Sequence, residues 1–234
     1  MTQPLLEIDD LHTNFDTNSG TVNALRGVNL TINEGERVGL VGESGSGKSV
    51  TAQSILRLVD SPGRIADGSI TLNGRDLLSL SESGMQNVRG RDITMIFQDP
   101  STSLDPVYSI RSQMIETIGH NRNMSDAEAE SVAIEYLERV DMPNPERILD
   151  SYPHELSGGM KQRVSIAMAL GFDPDLIIAD EPTTALDVTV QKKVMEIFKD
   201  IVEEEDLSVL WITHNLGVVA EFCDKIAVIY AGEV

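Results

Sequence analysis

The chain of 234 residues has one cysteine, Cys223. That excludes an internal disulfide and any cysteine-held metal cluster. Histidine is almost as scarce. His12, His120, His154 and His214 are scattered and lack the spacing of metal ligands. Aromatic residues make up 4% of the chain, so a core must be mostly aliphatic. No apolar run approaches the roughly 18 residues that crossing a bilayer requires. The opening MTQPLLEIDD has neither the basic nor the apolar region of a signal peptide. These absences predict a soluble, cytosolic chain.

Positive charge is also in short supply. There are 18 Lys and Arg against 38 Asp and Glu, a net charge of −20, and only six of the basic residues are lysine. Such a surface repels DNA, RNA and anionic lipid heads, which disfavours a nucleic-acid binder. Two readings of the acidity stand: the hydrated surface of a protein from a salt-loving organism, or a merely acidic cytosolic protein.

What is present suffices for one substantial core with room for a smaller lobe: 41% of residues are hydrophobic, and the 18 glycines and 9 prolines are ordinary in number. Strand-like runs recur at 5–11, 28–32, 37–41, 69–72, 93–97, 176–179, 207–213 and 225–230. Val38-Gly-Leu-Val41 and Leu176-Ile-Ile-Ala179 are continuously apolar, as central parallel strands covered on both faces should be. Asn18-Ser-Gly20 and Asn73-Gly74 signal turns between antiparallel strands near the N-terminus. The stretch from about 99 to 153 reads differently. Ser125 and Glu128 form a capping box, and Ala129, Val132, Ala133, Tyr136, Leu137 and Val140 make one apolar helical stripe, which Pro143 and Pro145 are expected to stop. The organisation expected is an α/β core with an inserted helical lobe.

Gly42-Glu43-Ser44-Gly45-Ser46-Gly47-Lys48-Ser49, followed by Val50, fits G-x-x-x-x-G-K-[ST] between an apolar strand and a helical pattern through Ile55, Leu56 and Leu58. The glycines let backbone N–H groups curl around phosphate oxygens, and the helix that starts there adds about half a positive charge. Lys48 is expected to reach the outer phosphates and the Ser49 hydroxyl to ligate Mg²⁺. Salt confines the acidic surface field to about 8–10 Å in ordinary buffer, so this local site can still attract ATP. Asp180 ends the apolar run at Leu176, in position to hold Mg²⁺ through water, and Glu181 follows as a candidate base for an attacking water. Two acids in so acidic a chain can also be chance neighbours.

A second glycine-rich helix start, Leu156-Ser-Gly-Gly-Met-Lys-Gln-Arg163, sits far downstream, with Ser157 as a good N-cap. Taken with the first motif, it resembles the signature LSGGQ of the ATP-binding subunits of ABC transporters, with Met160 where the family has glutamine. The stretches 98–106, 152–159, 182–191 and 214–220, and Tyr230-Ala-Gly-Glu233, resemble the oligopeptide, dipeptide and nickel importer branch. The resemblance covers the whole chain. Family members continue past its last residue, so a shortened chain or an incomplete gene is expected.

This resemblance implies a P-loop NTPase cassette: an α/β core over 1–98 and 160–234, mostly parallel in its central sheet, with an N-terminal antiparallel subdomain and a helical subdomain over about 99–159 that ends in the signature. It implies that two subunits pair head to tail. Ser157, Gly158 and Gly159 of one subunit then close the other's ATP site, and Asp187 of the D-loop crosses the interface. Gln98 matches the Q-loop that senses γ-phosphate and Mg²⁺ and faces the membrane subunits, and His214 matches the switch histidine. Phe15 falls where the family stacks an aromatic ring on adenine, or is an ordinary core residue near a strand end. The implied partners are a second ATPase subunit, preferably a paralogue, membrane permeases and, indirectly, an extracellular solute-binding protein. The implied place is the cytoplasmic face of the membrane. An ABC ATPase of DNA repair would bring a coiled-coil insertion or zinc cysteines, and a translation factor would bring two cassettes. A scaffold cassette not coupled to transport is opposed by the intact Lys48, Asp180, Glu181 and His214.

Overall fold

The computed structural model describes residues 4–18, 20–184 and 186–234. Ser19 of the Asn18–Gly20 turn signal, Ala185 of the Thr184–Asp187 segment and the first three residues lie outside the described residues. In chain order the elements are β1 (Leu6–Thr17), β2 (Gly20–Ile32), β3 (Arg37–Val41), α1 (Lys48–Ile55), β4 (Gly63–Leu72), β5 (Arg75–Asp76), α2 (Glu82–Val88) and β6 (Ile93–Ile96). There follow α3 (Pro100–Ser103), α4 (Ile110–Arg122), α5 (Asp126–Arg139), α6 (Pro145–Asp150), a 3-10 turn, α7 (Gly158–Gly171), β7 (Leu176–Asp180), α8 (Val188–Glu204), β8 (Ser208–Thr213), α9 (Leu216–Phe222) and β9 (Lys225–Val228). They form two units. One comprises the described residues up to Arg89 with Leu207–Val234, and the other Gly90–Asp206.

The first unit contains an antiparallel sheet in the order β2-β1-β4-β5. Its apolar alternation buries Leu6, Ile8 and Leu11 of β1, Leu25, Val28 and Ile32 of β2, and Ile70 and Leu72 of β4. The strands run well beyond the apolar runs, through Phe15↔Val22 and Phe15↔Gly63. Those outer halves are largely polar and exposed, so backbone pairing holds them and no apolar pattern announces them. Asn73 and Gly74 form the expected two-residue hairpin turn, both with positive φ, between the paired Leu72 and Arg75.

In the same unit β3 lies between β8 and β9, parallel to both. Val38, Leu40 and Val41 are buried, as the unbroken apolar run requires. Trp211 of β8 meets Phe222 of α9 edge to face at 5.1 Å. Arg37 covers the same Phe222 ring at 5.7 Å and grips Asp224 through Nε and Nη2. Helix α1 is shorter than the expected pattern through Leu58: it ends at Ile55, and Arg57 turns left-handed (φ 52).

The second unit pairs β6 with β7 in parallel, Ile93↔Leu176 to Ile96↔Ala179. Its helices bury Ile110, Met114 and Ile118 of α4, and Ala129, Ala133 and Leu137 of α5, among Val164, Ala167 and Leu170 of α7. Each such large aliphatic side chain contributes roughly 1.5–3 kcal/mol. The Ser125–Glu128 capping box forms in both directions. The helix stop differs from expectation. Asp141 adopts φ 55 and Met142 N–H bonds Leu137 O at 2.9 Å, so α5 ends before Pro143 is reached. Pro145 opens α6 near its first position, where a missing N–H costs nothing.

Candidate functional site

In the first unit, the Val41↔Thr213 register brings two segments out at the same end of the parallel strands: the Gly42–Gly47 loop after β3 and His214 after β8. The carboxyl ends of parallel strands are where ligands of such sheets bind. The loop is shaped by close approach. A Cβ on Gly42 would stand 2.3 Å from Ile229 O and 2.5 Å from Ser46 Oγ, and one on Gly47 would stand 2.9 Å from Leu25 Cδ2. Gly45 has open space and φ 79, and Gly47, the N-cap of α1, has φ 113.

Lys48 Nζ donates to Gly42 O at 2.9 Å and Glu43 O at 3.0 Å, holding its ammonium inside the curl of the loop. Glu43, Ser44, Gly45 and Ser49 are exposed and Val50 is half-buried. Ser46 Oγ is buried and has no hydrogen-bond partner among the described residues. The first turn of α1 carries no acidic residue, although α2, α5 and α6 each do. In a chain of net charge −20 this keeps the positive end of α1 open to an anion. Thr51 bonds Gly47 O, and Ser54 meets Thr13 of β1 at 2.9 Å, tying α1 to the strand that carries Phe15. The half-buried Phe15 ring lies against Gly63, where a Cβ would stand 2.5 Å from Cε1.

In the second unit, β6 and β7 deliver Gln98 and the Asp180–Glu181 pair to one end in the same way. Gln98 is exposed, and its Nε2 donates to Glu181 Oε2 at 3.4 Å. Thr184 Oγ1 donates to the same oxygen at 3.1 Å. The sequence reading gave Thr184 no such role; its only signal is a hydroxyl three residues after the carboxylate. Glu181 itself has φ 45, a left-handed backbone uncommon for a side chain of its kind. Asp180 is buried at the end of β7. Asp187 caps α8, accepting from Thr189 and Val190 N–H at 3.1 and 3.0 Å.

Ser157 caps α7 through the Met160 N–H at 3.3 Å. Ser157 and Gly158 are exposed, and the first turn of α7 is free of acidic residues. Gly159 is small of necessity: a Cβ there would stand 2.7 Å from Val190 Cγ1 on α8. The sequence-predicted residues therefore assemble as two groups. Phe15, 42–50 and His214 lie in the first unit, and Gln98, 157–159, Asp180, Glu181 and Asp187 in the second.

Each unit offers oxygen donors of the kind magnesium takes: the Ser49 hydroxyl in the first, and the Asp180 carboxylate and Gln98 amide oxygen in the second. The partnerless Ser46 hydroxyl and the glycine-walled curl likewise suit a polyphosphate. Among the described residues no His, Cys, Asp and Glu cluster could hold a metal by itself, and no helix is long and apolar enough to cross a membrane. Burial, then the neighbouring Asp224, pushes the Cys223 thiol pKa up to about 12, which disfavours it as a nucleophile.

Residues 25–184 match the model of a protein family described as ABC transporter. Among curated proteins, the chain is 51% identical to the oligopeptide transport ATP-binding protein OppD of Bacillus subtilis, over 98% of this chain and 64% of that protein. It is 47% identical to the dipeptide transport ATP-binding protein DppD of the same organism, over 99% of this chain and 69% of that one. Among solved structures it resembles the dimeric ATP-binding cassette MJ0796 bound to ADP and Pi, with TM-score 0.87 and 30% identity, covering 98% of this chain and 96% of the other. The chain thus spans a little under two thirds of the length of OppD.

Proposed function

The chain belongs to the ABC transporter family, and on that footing we propose that it is the ATP-hydrolysing subunit of an importer of peptides or related small solutes. The observation that carries the reading is the Gly42–Ser49 loop, with the Lys48 ammonium held by two loop carbonyls at the head of an acid-free helix start. In this reading ATP lies along the loop. Backbone N–H groups and Lys48 take the phosphates, and Phe15 stacks on adenine. Ser49, with Gln98 and Asp180, would hold Mg²⁺. When bound, that ion neutralises the phosphate oxygens and lowers the cost of charge that develops on them.

Glu181 is the base. Its Oε2 accepts from Thr184 and Gln98, which orients the carboxylate toward one proton. It draws that proton from the water that attacks the γ-phosphate, while ADP leaves in line. His214 and Lys48 stabilise the charge that builds on the transferred group; donors of this kind are worth roughly 3–4 kcal/mol each in comparable sites.

Ser157, Gly158 and Gly159 close the ATP site of a second ATPase subunit, a paralogue, and Asp187 crosses that interface. The helical subdomain over about 99–159 and Gln98 pass the closure to membrane permeases, which an extracellular binding protein supplies with solute. The chain sits peripherally on the cytoplasmic face of the membrane and has no nucleic-acid partner. OppD and DppD are named for oligopeptide and dipeptide transport, which supports peptides as the cargo class.

Glu181→Gln tests the reading. It retains ATP binding, loses turnover by about 10²–10⁴-fold as expected for a removed general base, and traps an ATP-loaded dimer visible by gel filtration. Steady-state hydrolysis at the parent rate would refute the assignment.

A further inference from the structure

Arg163 ends the Leu156–Arg163 stretch, and the mechanism above gives it no role. Its Nη1 donates to Val140 O at 3.4 Å and to Asp141 O. Those carbonyls lie just past the end of α5, where helix oxygens lack intrahelical donors and a cation is favoured. The Asp141 carboxylate is paired with Lys193 of α8. Lys193, with a smaller contribution from Arg163, holds it below the usual carboxylate range. Two residues earlier, Arg139 reaches Glu204 at 3.0 Å and also Glu205, at the far end of α8. Three consecutive residues thus hold α7, the second turn of α8 and its C-terminal end.

The spacing gives this corner a purpose. Arg163 lies six residues beyond Ser157, and Lys193 lies six residues beyond Asp187. At 1.5 Å per residue, both helices are pinned about 9 Å from the N-cap that each presents. Their N-terminal turns also touch, through Gly159 and Val190. Packing of side chains brings the two helices together; the charged contacts at matched depth add a further constraint on their register.

We infer that residues 139–141 form a joint that carries α7 and α8 as one body, with Asp141 the positioning residue that keeps Ser157 and Asp187 in fixed relation. The inference rests on the reading that these two N-caps act together across a subunit interface.

The test is a charge swap read two ways. Spin labels at Lys161→Cys and Lys192→Cys, in a Cys223→Ala background, report the distance distribution between α7 and α8. ATP hydrolysis with the purified permease complex reports function. Asp141→Lys should widen the distribution at least twofold and lower hydrolysis about tenfold, because a weak exposed attraction becomes a repulsion. ATP affinity of the isolated chain should stay within about twofold. Adding Lys193→Asp should recover both readouts. Asp141→Asn, which tolerates the left-handed backbone, should act in the same direction by about threefold. An unchanged distribution in Asp141→Lys overturns the joint. So does a widened distribution without loss of hydrolysis, or a swap that fails to recover. Absence of hydrolysis in the parent complex would count against the proposed function, and the label distances would still decide the joint.

Discussion

Gly42→Ala puts a methyl group 2.3 Å from Ile229 O and 2.5 Å from Ser46 Oγ. An ordinary carbon–oxygen approach is about 3.3 Å, so a backbone carbonyl must retreat by about 1 Å. That carbonyl belongs to the residue whose N–H bonds Val41 O at 2.7 Å, so the β3–β9 junction moves with it. Overpacking of this kind costs about 1–3 kcal/mol of stability. The same shift turns loop N–H groups away from phosphate. Each hydrogen bond to a charged group is worth about 1.5–3 kcal/mol, so losing one weakens binding roughly 10- to 100-fold. Gly45→Ala is the control. It meets no atom within 4 Å, and its cost is conformational, from φ 79. That cost is about 1–2 kcal/mol, partly offset by a stiffer unfolded chain. Calorimetric titration with ATP and urea unfolding should therefore separate the variants: Gly42→Ala loses affinity and stability together, while Gly45→Ala loses mainly stability. A Gly42→Ala chain that binds ATP as the parent does would refute the steric argument.

Ser157→Arg should spare ATP binding by the isolated chain yet abolish hydrolysis in the assembled complex; loss of monomer binding would place Ser157 in its own chain's site. Asp224 is held below the usual carboxylate range chiefly by its hydrogen bond to Arg37. Its contribution is present above an unfolded pKa of about 3.9 and is lost as pH falls through the lower folded value. Asp224→Asn should flatten that acid limb of the urea midpoint, by no more than about 1 kcal/mol because the carboxylate is partly exposed. An unchanged acid limb would sink this assignment. Cys223, with its pKa near 12, should react with a thiol reagent at pH 8 about a thousandfold more slowly than free cysteine, followed by mass. A rate close to that of free cysteine would mean that the helix α9 end is open.

What the sequence made legible is what local pattern carries. The loop from Gly42 to Ser49, the buried β3 and β7 and the Ser125–Glu128 box each announce themselves within ten residues. The outer halves of β1, β2 and β4 do not, because their pairing is backbone to backbone and their side chains are mostly polar. The α5 stop at Asp141 was hidden by Pro143, a stronger but later signal. Gln98 and Glu181 are 83 residues apart, and only the β6–β7 pairing lets one amide reach one carboxylate. Helix α8 buries Val194, Phe198, Ile201 and Val202 along one face. The grip of Arg139 and Asp141 on that helix is not legible, since it joins charges on the chain's exposed polar faces.

Glu181 keeps its carboxylate in place on a backbone that glycine or asparagine would adopt at lower energy. On the proposed reading, selection for thermal robustness alone would therefore drift this position toward glycine, and variants recovered that way should melt higher while losing most of their turnover. Survival of the acid in a lineage then becomes a sign that hydrolysis is still under selection there.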